Sequence, residues 1–261
     1  MNLRHYYNEI DPYCVQWLRN LMDADLIDRG DIDTRSIEDV RPDDLRGYIQ
    51  CHFFAGIGGW PLPLALAGWP TGRSVWTGSC PCQPFIDAGE GAGFADERHL
   101  WPAWQHLIAQ CGPPDILGEQ VSGKTAEPWV DLVHSDMEGM GYAFACMSFP
   151  ASFVQAAHER QRVYWGAHSM RAGRQGHQPI QRISIAARAA LSKFGDAFAH
   201  ARRAMAGDYS GLCADHGLPV AVERLAAKGY GNAIVPQAAA EFIKAYAEAC
   251  GLTFDQQVFA A

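Results

Sequence analysis

The sequence predicts an α/β protein built on one open, mostly parallel sheet. Three features carry that reading. Short apolar runs that suit buried strands alternate with longer runs of helical period. One strand-like run, Gly47 to Phe54, passes directly into the glycine-rich turn Ala55-Gly56-Ile57-Gly58-Gly59 and then into a helical pattern. Other strand-like runs end in an acid or in a proline-fixed loop. The carboxyl ends of parallel strands are where open α/β sheets hold ligands.

Composition narrows the class. A chain of 261 residues can bury one sizeable core and carry a small second lobe. A formal net charge of -8 argues against a uniformly basic nucleic-acid binder, so any basic surface must be local. Eight cysteines without a secretory leader fit a reducing, cytoplasmic compartment. Cys80 and Cys82 form a Cys-x-Cys, but no second pair with zinc spacing faces them, so no metal is expected. No apolar run is long enough to span a bilayer, so no membrane partner is expected.

Asn8-Glu9-Ile10-Asp11-Pro12 opens the chain's first helical pattern, in which Val15, Leu18, Leu21 and Met22 recur at helical spacing. Asp11 can cap that helix and Pro12 suits its first position. Glu9 then stands either at a strand tip or as a solvated surface acid. Gly30-Asp31-Ile32-Asp33 reads as a turn, followed by a charged segment from Thr34 to Arg46. Beyond the glycine turn, Leu62, Leu64, Leu66 and Ala67 mark a helix whose first turn holds Pro61 and Pro63. Strand, glycine turn and helix make a Rossmann-like unit that lets backbone approach a cofactor. Such a site needs a carboxylate on the neighbouring strand ~20 residues after the glycine loop. Here the first acid after Gly59 is Asp87.

The apolar pair Val75-Trp76 leads into Thr77-Gly78-Ser79-Cys80-Pro81-Cys82-Gln83-Pro84, a strand ending in a tight loop. A thiol there can face a cleft and is nucleophilic when ionised, although a reduced cysteine is commonly a small buried hydrophobe. A glycine-rich loop through Phe94 precedes a helix from Asp96 to Gln110, with Leu100, Trp101, Trp104, Leu107 and Ile108 on one side. Pro113 to Val121 is a strand with Glu119 near its end, Trp129 to Met140 a helix, and Tyr142 to Met147 a strand. His158 to Trp165 alternates charged and apolar residues, as a half-buried strand does. From His168 to Leu218 the chain turns basic, with Arg171, Arg174, Arg182, Arg188, Lys193, Arg202 and Arg203. These form either a charged helix face or a phosphate-contacting surface. Gly229 to Pro236 is a turn before a last helix, Gln237 to Ala249.

Pro81-Cys82-Gln83 after an apolar strand resembles the catalytic loop of DNA cytosine-5 methyltransferases. Further segments share the resemblance: Phe54 with the glycine turn, Glu119-Gln120-Val121, Arg160-x-Arg162, Gly231-Asn232, Asn8-Glu9-Ile10-Asp11, and Gly30-Asp31-Ile32. Departures are Ile86 for the family's serine, Gln120 for its asparagine and His158 for its glutamine. In the family the Asn-Glu-x-Asp and Gly-Asp-Ile segments follow the glycine loop, whereas here they precede it.

The resemblance therefore implies a small, circularly permuted member of the kind found in bacteria and their phages. Its fold would be a Rossmann-like, S-adenosylmethionine-dependent methyltransferase sheet, mostly parallel. The catalytic domain would span 1–167, a short basic target-recognition region 168–218, and a return to the catalytic domain 219–261. In the implied site Cys82 is the nucleophile, Glu119 faces the base's ring nitrogen 3, Arg162 holds its carbonyl oxygen, and Arg160 is a secondary candidate. S-adenosylmethionine, with S-adenosylhomocysteine as product, would be held by Phe54, Ala55, Gly56, Ile57, Gly58 and Gly59. Asn8, Glu9 and Ile10 would meet its ribose, with Glu9 on the hydroxyls. Asp31 and Ile32 would meet the adenine, while Pro81, Leu100, Asn232 and Ala233 complete the wall. Gln83 and the basic residues from Arg171 to Arg203 would contact double-stranded DNA, and the enzyme would act as a monomer. Two alternatives stay open: an RNA cytosine-5 methyltransferase on the same core, and a catalytically silent DNA-binding relative.

Overall fold

The structure, a computed structural model, describes residues 4–81, 100–123, 126–150, 161–170 and 234–252. Strands β1 (His5–Asn8), β2 (Gly30–Asp33), β3 (Gln50–Phe53), β4 (Val75–Gly78), β5 (Asp115–Val121), β6 (Tyr142–Pro150) and β7 (Gln161–Ser169) form one seven-stranded sheet in the order β2-β1-β3-β4-β5-β7-β6. The first five positions in that order pair in parallel, and β7 runs antiparallel to both β5 and β6. This is the mostly parallel α/β sheet that the sequence predicts.

Parallel strands lie covered on both faces, and β1, β3 and β4 are buried at every position. Consecutive side chains point to opposite faces, so neighbouring residues enter different cores. Trp76 and Ile116 join Tyr6, Phe53, Trp101, Trp104, Trp129 and Trp165 in one. Helices α3 (Trp101–Cys111) and α4 (Glu127–Gly139) cover this face, with 3-10 turns at Ile37–Asp39 and Pro42–Leu45. Val75 and Leu117 join the opposite core, under α2 (Pro61–Leu66) and α5 (Pro236–Ala249), with Tyr164, Phe242 and Tyr246. Helix α1 (Pro12–Asp23) covers Tyr7 with Leu18 and Met22. Its start is as predicted: Asp11 Oδ1 accepts from the Tyr13 and Cys14 N–H groups at 2.8 and 3.3 Å.

Two glycines set how the tryptophans pack. Gly78 and Gly118 face each other across β4 and β5. A Cβ on Gly78 would lie 2.6 Å from the Trp104 ring, and one on Gly118 only 2.0 Å from the Trp165 ring. Both indoles therefore rest on bare backbone. At the amino end of β5, fully buried Asp115 binds Arg73 (2.9 Å), His168 (2.8 Å) and the Tyr246 hydroxyl (2.8 Å), tying β5, β7 and α5 together.

Some boundaries differ from the sequence reading. Strand β3 is shorter than Gly47 to Phe54, because Gly47 (φ 84°) and Phe54 (φ 51°) leave extended geometry on either side of it. Strand β6 runs on to Pro150 because it pairs with β7 along its whole length. Strand β7 begins at Gln161 and reaches Ser169, lying between β5 and β6. Among the described residues, no helix is long and apolar enough to cross a membrane, and no group of His, Cys, Asp and Glu could hold a metal ion.

Candidate active site

Register brings the strand ends to one edge. Asn8 stands opposite Asp33 and Phe53, Phe53 opposite Gly78, and Gly78 opposite Gly118. The residues that follow, Glu9, Thr34, Phe54, Ser79 and Glu119, therefore line the carboxyl edge of the sheet, where an open α/β sheet binds ligands.

The turn after β3 is built from left-handed backbone at Phe54, Gly56 (φ 55°) and Gly58 (φ 80°). For a side chain as large as that of Phe54 this conformation costs roughly 1–2 kcal/mol. The ring is half-buried and stands edge-on to Trp104, centroids 5.9 Å apart. The glycines play different parts. A Cβ on Gly58 would press on Leu21 and Leu18 of α1 (3.1 and 3.3 Å), and one on Gly59 on Ile234 (3.0 Å). Among the described residues, a Cβ on Gly56 would meet nothing closer than the Phe54 carbonyl at 3.9 Å. Gly58 and Gly59 are packing positions, while Gly56 borders open space.

Glu9 leaves β1 beside that open space. Its Oε2 accepts the Gly56 N–H at 2.7 Å and its Oε1 the Asp11 N–H at 2.8 Å, while the Ala55 N–H donates to the Asn8 carbonyl at 3.0 Å. Each carboxylate oxygen keeps a second lone pair, so Glu9 can still accept from a pair of hydroxyl groups. Exposed Ile10 follows it, while Ile32 packs toward α1.

Asp31 is placed differently. It stands two residues before the tip of β2, and its carboxylate accepts from Arg4 (2.7 Å) and from the Tyr48 hydroxyl. These bonds hold its pKa below the usual carboxylate range. The acid at the tip is Asp33, which accepts from the Tyr6 hydroxyl at 2.8 Å and pairs with Arg35 at 2.6 Å. From sequence Gly30 to Asp33 reads as a turn, whereas the segment is strand β2, paired along its length with β1, and acids two apart there share one face.

The other half of the edge holds an ion pair, half-buried Arg162 Nε to buried Glu119 Oε1 at 2.6 Å, joining β7 to β5. Next to it, Gln120 donates from Nε2 to the Cys80 carbonyl at 3.1 Å and accepts the Val121 N–H at 2.8 Å. The sequence marked Gln120 only as a substitution for asparagine and gave no sign of that bond. Pro81 is exposed at the end of the described loop, and Leu100 packs against the tryptophan core. Cys82, Gln83, Arg160, Asn232, Ala233, Arg171, Arg174, Arg182, Arg188, Lys193, Arg202 and Arg203 lie outside the described residues.

Residues 74–184 match the family model of C-5 cytosine-specific DNA methylases. No curated protein matches the chain. Solved structures similar to it include a triple mutant of Spodoptera frugiperda DNMT2, with TM-score 0.44 and 15% identity over 63% of this chain and 42% of that one. A prophage-encoded E. coli protein named as a DNA modification methyltransferase has TM-score 0.44 and 16% identity over 64% of this chain and 40% of that one. For S. pombe Dnmt2 the values are 0.41 and 15%, over 64% and 51%. The chain thus spans about half or less of the length of these proteins.

Proposed function

We propose, from the match of residues 74–184 to the family model of C-5 cytosine-specific DNA methylases, that the chain is a DNA cytosine-5 methyltransferase working from a circularly permuted chain. The observation that carries the reading is the bond from Gly56 to Glu9, which joins the acid-bearing strand end to the glycine turn. Strand β3 lies between β1, which leads to Glu9, and β4, which leads to Pro81-Cys82-Gln83. A sheet is assembled by adjacency in space, and chain ends tolerate relocation where they lie at the surface. That arrangement supports a shared pocket despite the reordered segments.

S-adenosylmethionine is the methyl donor of this family, and when bound it supplies an electrophilic methyl group. The residues present fit it. Gly56 leaves room for close approach, Glu9 offers lone pairs to ribose hydroxyls, and the Phe54 ring offers a face for adenine. Asn8, Ala55, Ile57, Gly58 and Gly59 belong to the turn and the strand end it bonds, and Pro81 and Leu100, with Asn232 and Ala233 from outside the described residues, would complete the wall as the resemblance implies. Asp31 accepts from Arg4 and Tyr48 through Oδ2 alone, so its other oxygen can still accept from the adenine amino group beside Ile32.

Carbon 5 of cytosine is a poor nucleophile. Addition of the Cys82 thiolate to carbon 6, with a proton from Glu119 at ring nitrogen 3, would turn the ring into an enamine whose carbon 5 can take the methyl group, releasing S-adenosylhomocysteine. Loss of the carbon 5 proton and departure of Cys82 restore the aromatic ring. Glu119 faces ring nitrogen 3, where charge gathers during addition, and Arg162 holds the neighbouring carbonyl oxygen. Their ion pair, which holds the two side chains together, supports a joint role at the base. Arg160 is the weaker candidate for a direct role. The base leaves the duplex to reach them, at a cost of a few kcal/mol. The basic stretch from Arg171 through Arg203 holds DNA phosphates, within a recognition region at 168–218 between catalytic segments 1–167 and 219–261, and Gln83 contacts the DNA from the catalytic segment.

The test uses labelled S-adenosylmethionine with duplex DNA and, separately, transfer RNA, followed by trapping on a 5-fluorocytosine duplex. Methyl transfer to duplex DNA and a stable adduct at Cys82 are expected. Transfer to RNA alone moves the assignment to the RNA branch, and absence of both methyl transfer and adduct leaves a binding protein.

A further inference from the structure

We propose that Gln120 is a positioning residue for methyl transfer, setting the backbone from which the Pro81-Cys82 loop departs relative to Glu119; the inference rests on the proposed function. Backbone pairing between β4 and β5 ends at Gly78 and Gly118. Beyond that point β5 continues against β7 alone, through Glu119, Gln120 and Val121. The Gln120 carboxamide restores a connection to β4's continuation. Its Nε2 reaches the Cys80 carbonyl, two residues past the last ladder pair.

The amide is buried, 4% exposed, and its orientation is fixed from both ends. The Val121 N–H holds Oε1, which leaves Nε2 aimed at Cys80. The family's asparagine has a side chain one methylene shorter than this glutamine. Gln120 is also the sequence neighbour of Glu119. One residue thus ties the strand carrying the proposed proton-handling acid to the chain that reaches the proposed nucleophile, Cys82, two positions after Cys80. Thiolate addition and charge neutralisation act on the same ring, so the spacing of the two segments governs the rate of addition. A displacement of ~1 Å in such a site can cost on the order of 100-fold in rate.

Gln120→Met keeps volume and removes both hydrogen bonds, whereas Gln120→Asn keeps the amide and shortens its reach. Ile243→Ala, in the core beneath α5, serves as a control for general destabilisation. Each variant is assayed for melting temperature, S-adenosylmethionine affinity, DNA KM and the rate of adduct formation on a 5-fluorocytosine duplex. For Gln120→Met the adduct rate should fall by on the order of 100-fold with donor affinity and DNA KM near wild type. Gln120→Asn should lie between, and Ile243→Ala should form adduct at the wild-type rate at temperatures where it is folded. If Gln120→Met does not fold, Gln120→Asn alone decides, by a slowed adduct rate at unchanged donor affinity. A wild-type adduct rate in the folded Gln120 variants, or an equal loss in Ile243→Ala, overturns the inference. A wild-type protein that forms no adduct instead overturns the function on which it rests.

Discussion

The carboxylate of Glu9 accepts the backbone N–H of Gly56 at 2.7 Å, across 47 positions of chain. The exit of β1 and the turn after β3 are thereby one unit. In the proposed function the donor-binding half of the site depends on this link, because Gly56 is the turn glycine that borders open space among the described residues.

Replacing Glu9 by glutamine tests it. Both Glu9 oxygens accept backbone N–H groups, from Gly56 and Asp11. An amide has only one oxygen, so its NH2 must point at one of those donors. Loss of hydrogen bonds to a charged group costs ~1.5–3 kcal/mol. S-adenosylmethionine binding by Glu9→Gln, measured by calorimetry, should weaken about 10- to 100-fold with the circular dichroism spectrum retained. Unchanged affinity would remove Glu9 from the donor site.

Glu119→Gln separates chemistry from folding. Glutamine retains an acceptor for Arg162 but cannot exchange a proton at the base. The expected result is a loss of ~10²–10⁴ in kcat, the usual reach of general acid–base catalysis, with a small change in melting temperature. A variant that methylates at the wild-type rate would exclude Glu119 from the reaction.

Much of this architecture was legible in the chain. Asp11 and Pro12 announced α1, and the run from Gly47 through Gly59 announced β3 and its turn. Local signals of that kind survive in any tertiary context. Long-range partners left no such trace. Asp31 matched a motif, yet Arg4 and Tyr48, distant in sequence, claim its carboxylate. The Gln120 to Cys80 bond depends on how two strands diverge beyond their last ladder pair, which no periodicity encodes.

Gly118 presents the sharpest packing constraint. A methyl group there would stand 2.0 Å from the Trp165 ring, which is wedged among Trp101, Trp104 and Phe144. Overpacking a core commonly costs 1–3 kcal/mol, and a clash with rigid indole belongs at the upper end, so Gly118→Ala should lose about 3 kcal/mol in chemical denaturation. A loss well below 1 kcal/mol would mean that the Trp165 ring is free to move off the strand.

His52 should make the fold acid-sensitive. It is buried in β3, with Nδ1 2.8 Å from the Thr77 hydroxyl, no hydrogen-bond partner for Nε2 among the described residues, and the Tyr7 ring 4.9 Å away. Burial, with a smaller contribution from His5, pushes its pKa down to about 3. The unfolded chain takes up this proton near pH ~6.5, whereas the folded chain refuses it until far lower pH. The stabilising difference is therefore complete above pH ~6.5 and is lost on acidification toward 3, at up to ~1.4 kcal/mol per pH unit. Burial lowers the pKa of His5 as well, so it adds a slope of the same sign. Urea denaturation of His52→Gln should show lower stability at pH 7.5 but a shallower decline between pH ~6.5 and ~4.5, the residual slope belonging to His5 and the carboxylates. Parallel declines in variant and wild type would mean that His52 is protonated in the folded protein, which its position between Tyr7 and Thr77 does not accommodate.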